Sequence, residues 1–266
     1  MTLRRRLLWL CALWLGGGRL GAAPPAEPSA AVRLWEQGQD AMRDGHTDDA
    51  IRYYYQSMKL EPQLARNFLS LAAAHVARGE DAEATRWLAR YVEAQPDHHV
   101  IRLHYAELLL RLGKKPEGRA QLERFIADVQ DRADLADAHL LDCHTRLLQL
   151  AEADDDEYGE HLNRGIGLYL LACQRSHLPD DADGPSAEAL LCRAAAELGL
   201  ARRRRPEEAR PCWYLHAVWA RLAQHYPATR CLRAAEAAAP FSYLTPAEQR
   251  DLRLACRQLD AERRRK

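Results

Sequence analysis

The stretch GHTDDAIRYYYQSMKLEPQLARNFLSLAAAHVARG, from Gly45 to Gly79, decides the fold class. Its ends are glycines, and Gly113 repeats the step between them. Ala50, Ala84 and Gly118 keep the same interval, as do Tyr54, Leu88 and Leu122, and Pro62 and Pro96. Each proline closes an amphipathic run, and each glycine breaks a pair of helical patterns. A fixed period of about 34 residues marks stacked helical hairpins, each burying its apolar face only against its neighbours. Such an architecture favours a surface that holds a partner over a pocket for chemistry.

Working outward, the first hairpin spans about 31–64. Its first helix carries Leu34, Trp35, Gly38 and Ala41, and Gly45 ends it. Thr47 or Asp48 is placed to cap the second helix, which carries Ala50, Tyr54, Ser57 and Leu60 before Pro62. The second unit, about 65–98, repeats this with Phe68, Leu71, Ala72, Gly79, Ala84, Leu88 and Pro96. The third, about 99–132, repeats it with Tyr105, Ala106, Gly113, Gly118, Leu122 and Phe125, but Gln130 stands where the proline should be. Small residues at Gly38, Ala72 and Ala106 let one helix approach its mate, and large ones at Tyr54, Leu88 and Leu122 fill the space beside them.

These three units in register resemble the tetratricopeptide repeat. The resemblance implies an all-α fold, a right-handed superhelical solenoid of antiparallel helix pairs with a C-terminal capping helix. A looser match recurs near the end in Trp213, Ala217, Ala228, Leu232, Ala235 and Pro240. Pro206 lies one period before Pro240, and Ala187–Arg204 looks like the second helix of another unit. Thr245-Pro246-Ala247-Glu248 has the order of a capping box opening a last helix, with Pro at the first helical position.

The middle departs from the period. Leu135–Ala151 and Tyr158–Arg175 are helical patterns longer than the repeat allows, and the distance from Gln130 to Pro206 exceeds two periods by about eight residues. The helix count there is odd, so either one helix lies outside the alternation or one more is present. The chain thus divides into 1–22, a signal peptide or N-terminal anchor; 23–30, a linker; 31–132, three repeats; 133–186, an irregular helical insert; 187–244, further repeat-like helices; and 245–266, a capping helix with a basic tail.

The leader reading rests on Arg4–Arg6, the apolar run Leu7–Leu15 and the small residues that follow, the order of a secretory signal and short for a membrane span. It predicts export to the periplasm or cell envelope, with membrane contact only through this segment if it stays uncleaved. An Ala- and Arg-rich chain with such a leader resembles exported repeat proteins of GC-rich bacteria. Across the 266 residues, 38 Lys and Arg balance 38 Asp and Glu, so no global field points to nucleic acid. Arg202–Arg205 and Arg263–Lys266 are local basic runs. They read as solvated helix ends offsetting the dipole, or else as a site for an anionic partner.

Without the leader, six cysteines remain: Cys143, Cys173, Cys192, Cys212, Cys231 and Cys256. An even count in an exported chain invites bridges, but each sits in an apolar helical context, where free cysteine packs as a small hydrophobe. Core packing is the expectation; bridges, if formed, would be at most Cys143–Cys173 and Cys212–Cys231. His139 and Cys143 share a helix face, while His144 points elsewhere, so no third metal ligand is visible. Asp180, Asp181, Asp183 and Gly184 only partly match a calcium loop. No nucleophile–base grouping, phosphate loop or HExxH is present, so no catalytic residue, cofactor or metal is assigned.

The family resemblance implies a groove lined by first helices, here Trp35, Gln39, Arg43, Leu69, Ala73, Val76, Leu103, Glu107 and Arg111. Trp35 and Gln39 stand where the chaperone-binding members carry a Lys and Asn carboxylate clamp, which argues against that clamp. A mixed apolar and polar lining suits a helix or strand with apolar anchors. The expected function is a scaffold for a protein or peptide partner in an envelope assembly. The alternative is an enzyme or metal-binding protein with its site in 133–186.

Overall fold

The computed structural model describes residues 28–131, 133–177 and 184–265, and among these every regular element is helical. The leader, most of the linker and Asp180, Asp181 and Asp183 lie outside the described residues. The chain divides into two compact units between Gln121 and Leu122.

The first unit holds α1 (Ala30–Arg43), α2 (Thr47–Leu60), α3 (Ala65–Arg78), α4 (Asp81–Ala94), α5 (His99–Arg111) and the start of α6 (Lys115–Val129). Shape closes its helix pairs. A Cβ on Gly38 would stand 2.4 Å from Cε1 of Tyr54, so α1 approaches α2 only because that position has no side chain. Tyr54, Ala72, Leu88 and Ala106 are fully buried, as the knob-and-gap pattern requires. Burying Leu88 contributes roughly 2 kcal/mol against unfolding. Ser57 ties three helices together: its hydroxyl donates to Ala31 O (2.7 Å) and accepts from Asn67 Nδ2 (3.0 Å).

Gly45, Gly79 and Gly113 all adopt positive φ, at 83°, 80° and 73°. Each turn closes with the same bond from the next N–H to the carbonyl five positions back: His46 to Ala41 O, Glu80 to His75 O and Lys114 to Leu109 O. One local expectation fails. Neither Thr47 nor Asp48 caps α2, because the helix already begins at Thr47 and His46 occupies the cap position without a side-chain bond. Asp48 and Asp49 instead lie in the first turn, where their charge suits the helix dipole.

The second unit holds the rest of α6, then α7 (Ala133–Ala153), α8 (Glu157–Arg175), α9 (Ala187–Arg204), α10 (Ala209–Arg221), α11 (His225–Ala238), a 3-10 turn (Ala239–Phe241) and α12 (Pro246–Arg265). The hairpin bond recurs here from Asp156 N to Ala151 O and from Gln224 N to Trp219 O. The residues at positive φ are now Asp155 (52°) and Ala223 (56°). The step from Gly113 to Asp155 exceeds one period by about eight residues, and the step from Asp155 to Ala223 equals two periods.

This resolves the odd helix count. A tight hairpin of the repeat type joins α7 to α8. The Arg205–Glu208 link from α9 to α10 matches the links between successive hairpins at Glu61–Leu64 and Gln95–His98. So α9 is a second helix, as its sequence suggests, and it follows α8, which also closes a hairpin; one helix stands outside the alternation. The large residue nine positions after each turn is Tyr54, Leu88, Leu122 and Leu232, all buried, but Arg164 in the α7–α8 hairpin, with its side chain about a third exposed. There α8 serves two neighbours instead. A Cβ on Gly159 would meet Ala151 of α7 at 3.0 Å, and one on Gly165 would meet Leu198 of α9 at 2.7 Å.

The capping box at α12 is present: Thr245 N–H donates to Glu248 Oε2 (2.9 Å) and Glu248 N–H to Thr245 Oγ1 (3.2 Å). It is also a hub. Glu248 is buried and accepts from Arg210 Nε (2.9 Å) and the Tyr214 hydroxyl (3.0 Å). Gln130 donates to Tyr214 Oη (3.1 Å) and accepts from Thr245 Oγ1 (2.5 Å). The residue that stands in place of the repeat's closing proline therefore fastens the end of α6 to α10 and α12. Nearby, Arg250 grips Asp131 with both nitrogens (2.7 and 2.5 Å).

All six described cysteines are free thiols. Cys143, Cys212, Cys231 and Cys256 are buried, and Cys173 is half-buried. Cys192 departs from the expected apolar setting: it is exposed, one step off the face of α9 that buries Leu191 and Ala194.

Candidate functional site

The predicted groove residues all belong to α1, α3 and α5 of the first unit, and the structure treats them unequally. On α1, Trp35 is half-buried and its indole N–H donates to Ser70 Oγ (2.9 Å). Gln39, one turn on, donates Nε2–H to the same oxygen (2.8 Å). A hydroxyl oxygen has two lone pairs, so Ser70 satisfies both donors and fixes both side chains. The Arg66 guanidinium lies over the Trp35 ring, 5.0 Å from its centroid. Arg43 is exposed and held by Asp40 of its own helix (2.8 Å).

On α3, Leu69 is half-buried against the core, while Ala73 and Val76 are buried. On α5, Leu103 and Glu107 are half-buried. Arg111 reaches Asp81 on α4 (2.6 Å). The structure thus draws Trp35 and Gln39 together through Ser70, engages Arg43 and Arg111 with carboxylates, and leaves Leu69 and Leu103 partly open.

Sequence reasoning missed Ser70 and Arg66. The available signal was a polar residue inside the apolar run Phe68–Val76 of a helix that buries most of its length. At the far end of α3, His75 Nδ1 meets Glu80 Oε2 at 2.7 Å, and Arg78 bridges Glu80 (2.7 Å) and Asp48 (3.0 Å). The His75 hydrogen bond, followed by the Arg78 charge, holds the Glu80 carboxyl below its ordinary range.

The residues raised for metal binding are otherwise employed. His139 lies edge-on to Phe125 (6.0 Å, 86°). Burial pushes the Cys143 thiol up to about 12, which disfavours the thiolate a metal would need. His144 is fully buried with Nδ1 2.9 Å from Asn163 Oδ1. Because Asn163 Nδ2 donates to Gly159 O (2.8 Å), its oxygen faces the ring and Nδ1 carries the proton. Among the described residues no group of three or more His, Cys, Asp or Glu side chains could hold a metal ion. No helix among them is long and apolar enough to cross a membrane. The buried Glu248 carboxylate has both oxygens occupied by Arg210, Tyr214 and the Thr245 amide, so it acts as a lock between helices.

Residues 41–100 match the tetratricopeptide repeat family model. Among solved structures, MamA is 14% identical, with 78% of this chain and 91% of that chain covered and a TM-score of 0.41. YrrB, described as a TPR protein with an unusual peptide-binding site, is 13% identical over 79% of this chain and 87% of that one, with a TM-score of 0.34. PilW, a type IV pilus biogenesis factor, is 15% identical over 83% and 82%, with a TM-score of 0.34. No curated protein matches the chain. The match covers residues 41–100 of the 266, within the first unit, where Gly45, Gly79 and Gly113 close hairpins one repeat period apart.

Proposed function

We propose that the chain is a protein-interaction scaffold, and that the first-helix face of the first unit holds a peptide or protein segment with apolar anchors. The observation that carries this reading is the clip of Trp35 and Gln39 on Ser70. It orients a half-buried indole, so little side-chain freedom remains to be lost when a partner packs on it. Leu69 and Leu103, both partly open, continue an apolar row, and Glu107 supplies a polar neighbour. With Arg43 and Arg111 already engaged by Asp40 and Asp81, the face suits apolar anchors better than a terminal carboxylate. The proposed setting is an exported cell-envelope assembly, which the leader-like segment 1–22 supports.

The test pans a random peptide library on the full chain and measures selected peptides by fluorescence anisotropy. Trp35→Ala is expected to weaken binding by on the order of 2 kcal/mol while helix content stays unchanged. Equal affinity in the variant, or loss of helix, would remove the face from consideration. For export, the mass of the native mature chain should be short by roughly 22–30 residues; an intact Met1 on protein recovered from the cytoplasm would sink that part.

A further inference from the structure

One arginine from each basic run of the sequence reaches the same place. Arg202 of α9 and Arg263 of α12 meet Arg230, Arg233, His225 and Tyr226 of α11 around one open cleft of about 590 Å³ in the second unit. Arg233 is neutralised by Glu236 (2.7 Å) and by Asp260. Arg263 shares the Asp260 charge only through space. Arg202 and Arg230 have no carboxylate partner among the described residues. The cleft therefore keeps a surplus of positive charge inside a chain whose total charge is balanced.

Helix ends do not account for this. Arg202 and Arg263 lie near the C-termini of α9 and α12, where cations suit the dipole. Arg230 lies in the second turn of α11, away from the C-terminal end where the dipole would favour it. The second helices α2 and α4 open on acids, Asp48 and Asp49 in one and Asp81 and Glu83 in the other, whereas the first turn of α11 has none. Like charges gathered from three helices onto one cleft call for an opposite charge.

We propose that this cleft docks an acidic stretch of polypeptide, its carboxylates on Arg202, Arg230 and Arg263 and its backbone passing the exposed Tyr226. This surface is separate from the first-unit face and does not depend on that reading. An open cleft suits an extended chain, which advances by about 3.3 Å per residue and turns alternate side chains to the same wall. Arginine forks match carboxylates. The apolar Ala234 in the wall, in place of a buried polar group, suits a chain better than one small anion.

The probe is a fluorescein-labelled decaglutamate titrated with the full chain at low salt. Binding that weakens as salt rises is expected, with about a tenfold loss in Arg202→Gln/Arg230→Gln. Arg52→Gln/Arg86→Gln removes the same charge from the first unit and should bind like wild type. Trp35→Ala should also bind like wild type, which separates this surface from the other. Circular dichroism checks each variant, and if the double variant loses helix the two single variants decide in its place. Undiminished binding in the cleft variants, equal loss in the first-unit control, or displacement by pyrophosphate at matched charge would overturn the proposal.

Discussion

Gly38 against Tyr54 in the first unit and Arg210 against Glu248 in the second both join helices, by opposite means. In the first unit a missing side chain admits a ring, and three glycines at positive φ turn the chain. In the second, a buried ion pair with Tyr214, Thr245 and Gln130 ties helices far apart in sequence, and Asp155 and Ala223 take the turn positions. Packing by shape tolerates any neighbour of the right volume. Packing by charge demands one partner, because each buried group must be satisfied. The lesson is one of emphasis: the regular hairpins close on size, with short polar ties such as Ser57 between them, whereas the break in the repeat gathers a buried ion pair and its partners to hold its helices.

The largest expected effect tests the charged side of this contrast. Glu248→Leu should destabilise by about 3–5 kcal/mol in urea unfolding of the full chain, because it strands the buried Arg210 and removes the carboxylate half of the α12 capping box. Arg210→Met added to it should recover much of that loss. A single variant within about 1 kcal/mol of wild type would show that the network contributes little.

Next comes pH. Burial, aided by the Arg210 charge, lowers the His144 pKa from 6.5 to about 4. The unfolded imidazole takes its proton near 6.5, the folded one only near 4, so between these values the unfolded state binds more protons. Stability is therefore expected to fall by a few kcal/mol as pH drops through that window, and His144→Gln should flatten the slope. An unchanged slope in the variant would assign the effect elsewhere.

Smaller effects probe the shape side. Gly38→Ala should cost about 1–3 kcal/mol, since the new Cβ meets the ring of the buried Tyr54. Gly118→Ala meets Cδ2 and Cγ of the half-buried Leu110, an aliphatic side chain that can change rotamer more easily than a buried ring, and gains roughly 1 kcal/mol of helix propensity. It should come out closer to neutral, and equal losses at the two sites would contradict the ring-against-flexible-chain distinction. Smallest, Ala223→Gly should stabilise by about 1 kcal/mol by relieving a left-handed alanine, and Gly45→Ala should lose a similar amount. Thermal melts resolve both; a destabilised Ala223→Gly would break the equivalence of the two kinds of turn.

Where residues lie along a helix was legible because helix geometry is local. The repeat step placed Gly45, Gly79 and Gly113 at turns and Tyr54, Leu88 and Leu122 in cores, and the Thr245–Glu248 box appears as read. The predicted face was legible as positions on α1, α3 and α5. The Ser70 clip was not, since it depends on which residue of α3 faces α1. Gln130 looked like a defect in the repeat because its partners, Tyr214 and Thr245, are distant in sequence.

The sequence by itself determined the helices, their pairing in the first unit and the repeat period, because periodicity, turn glycines and caps act within a few residues of one another. Tertiary structure alone decided that α9 follows α8 outside the alternation and that Gln130, Arg210, Tyr214 and Glu248 form one buried network. It alone brought Arg202, Arg230 and Arg263 to a single cleft. Those contacts join residues tens of positions apart, and no local period records which side chain will meet which.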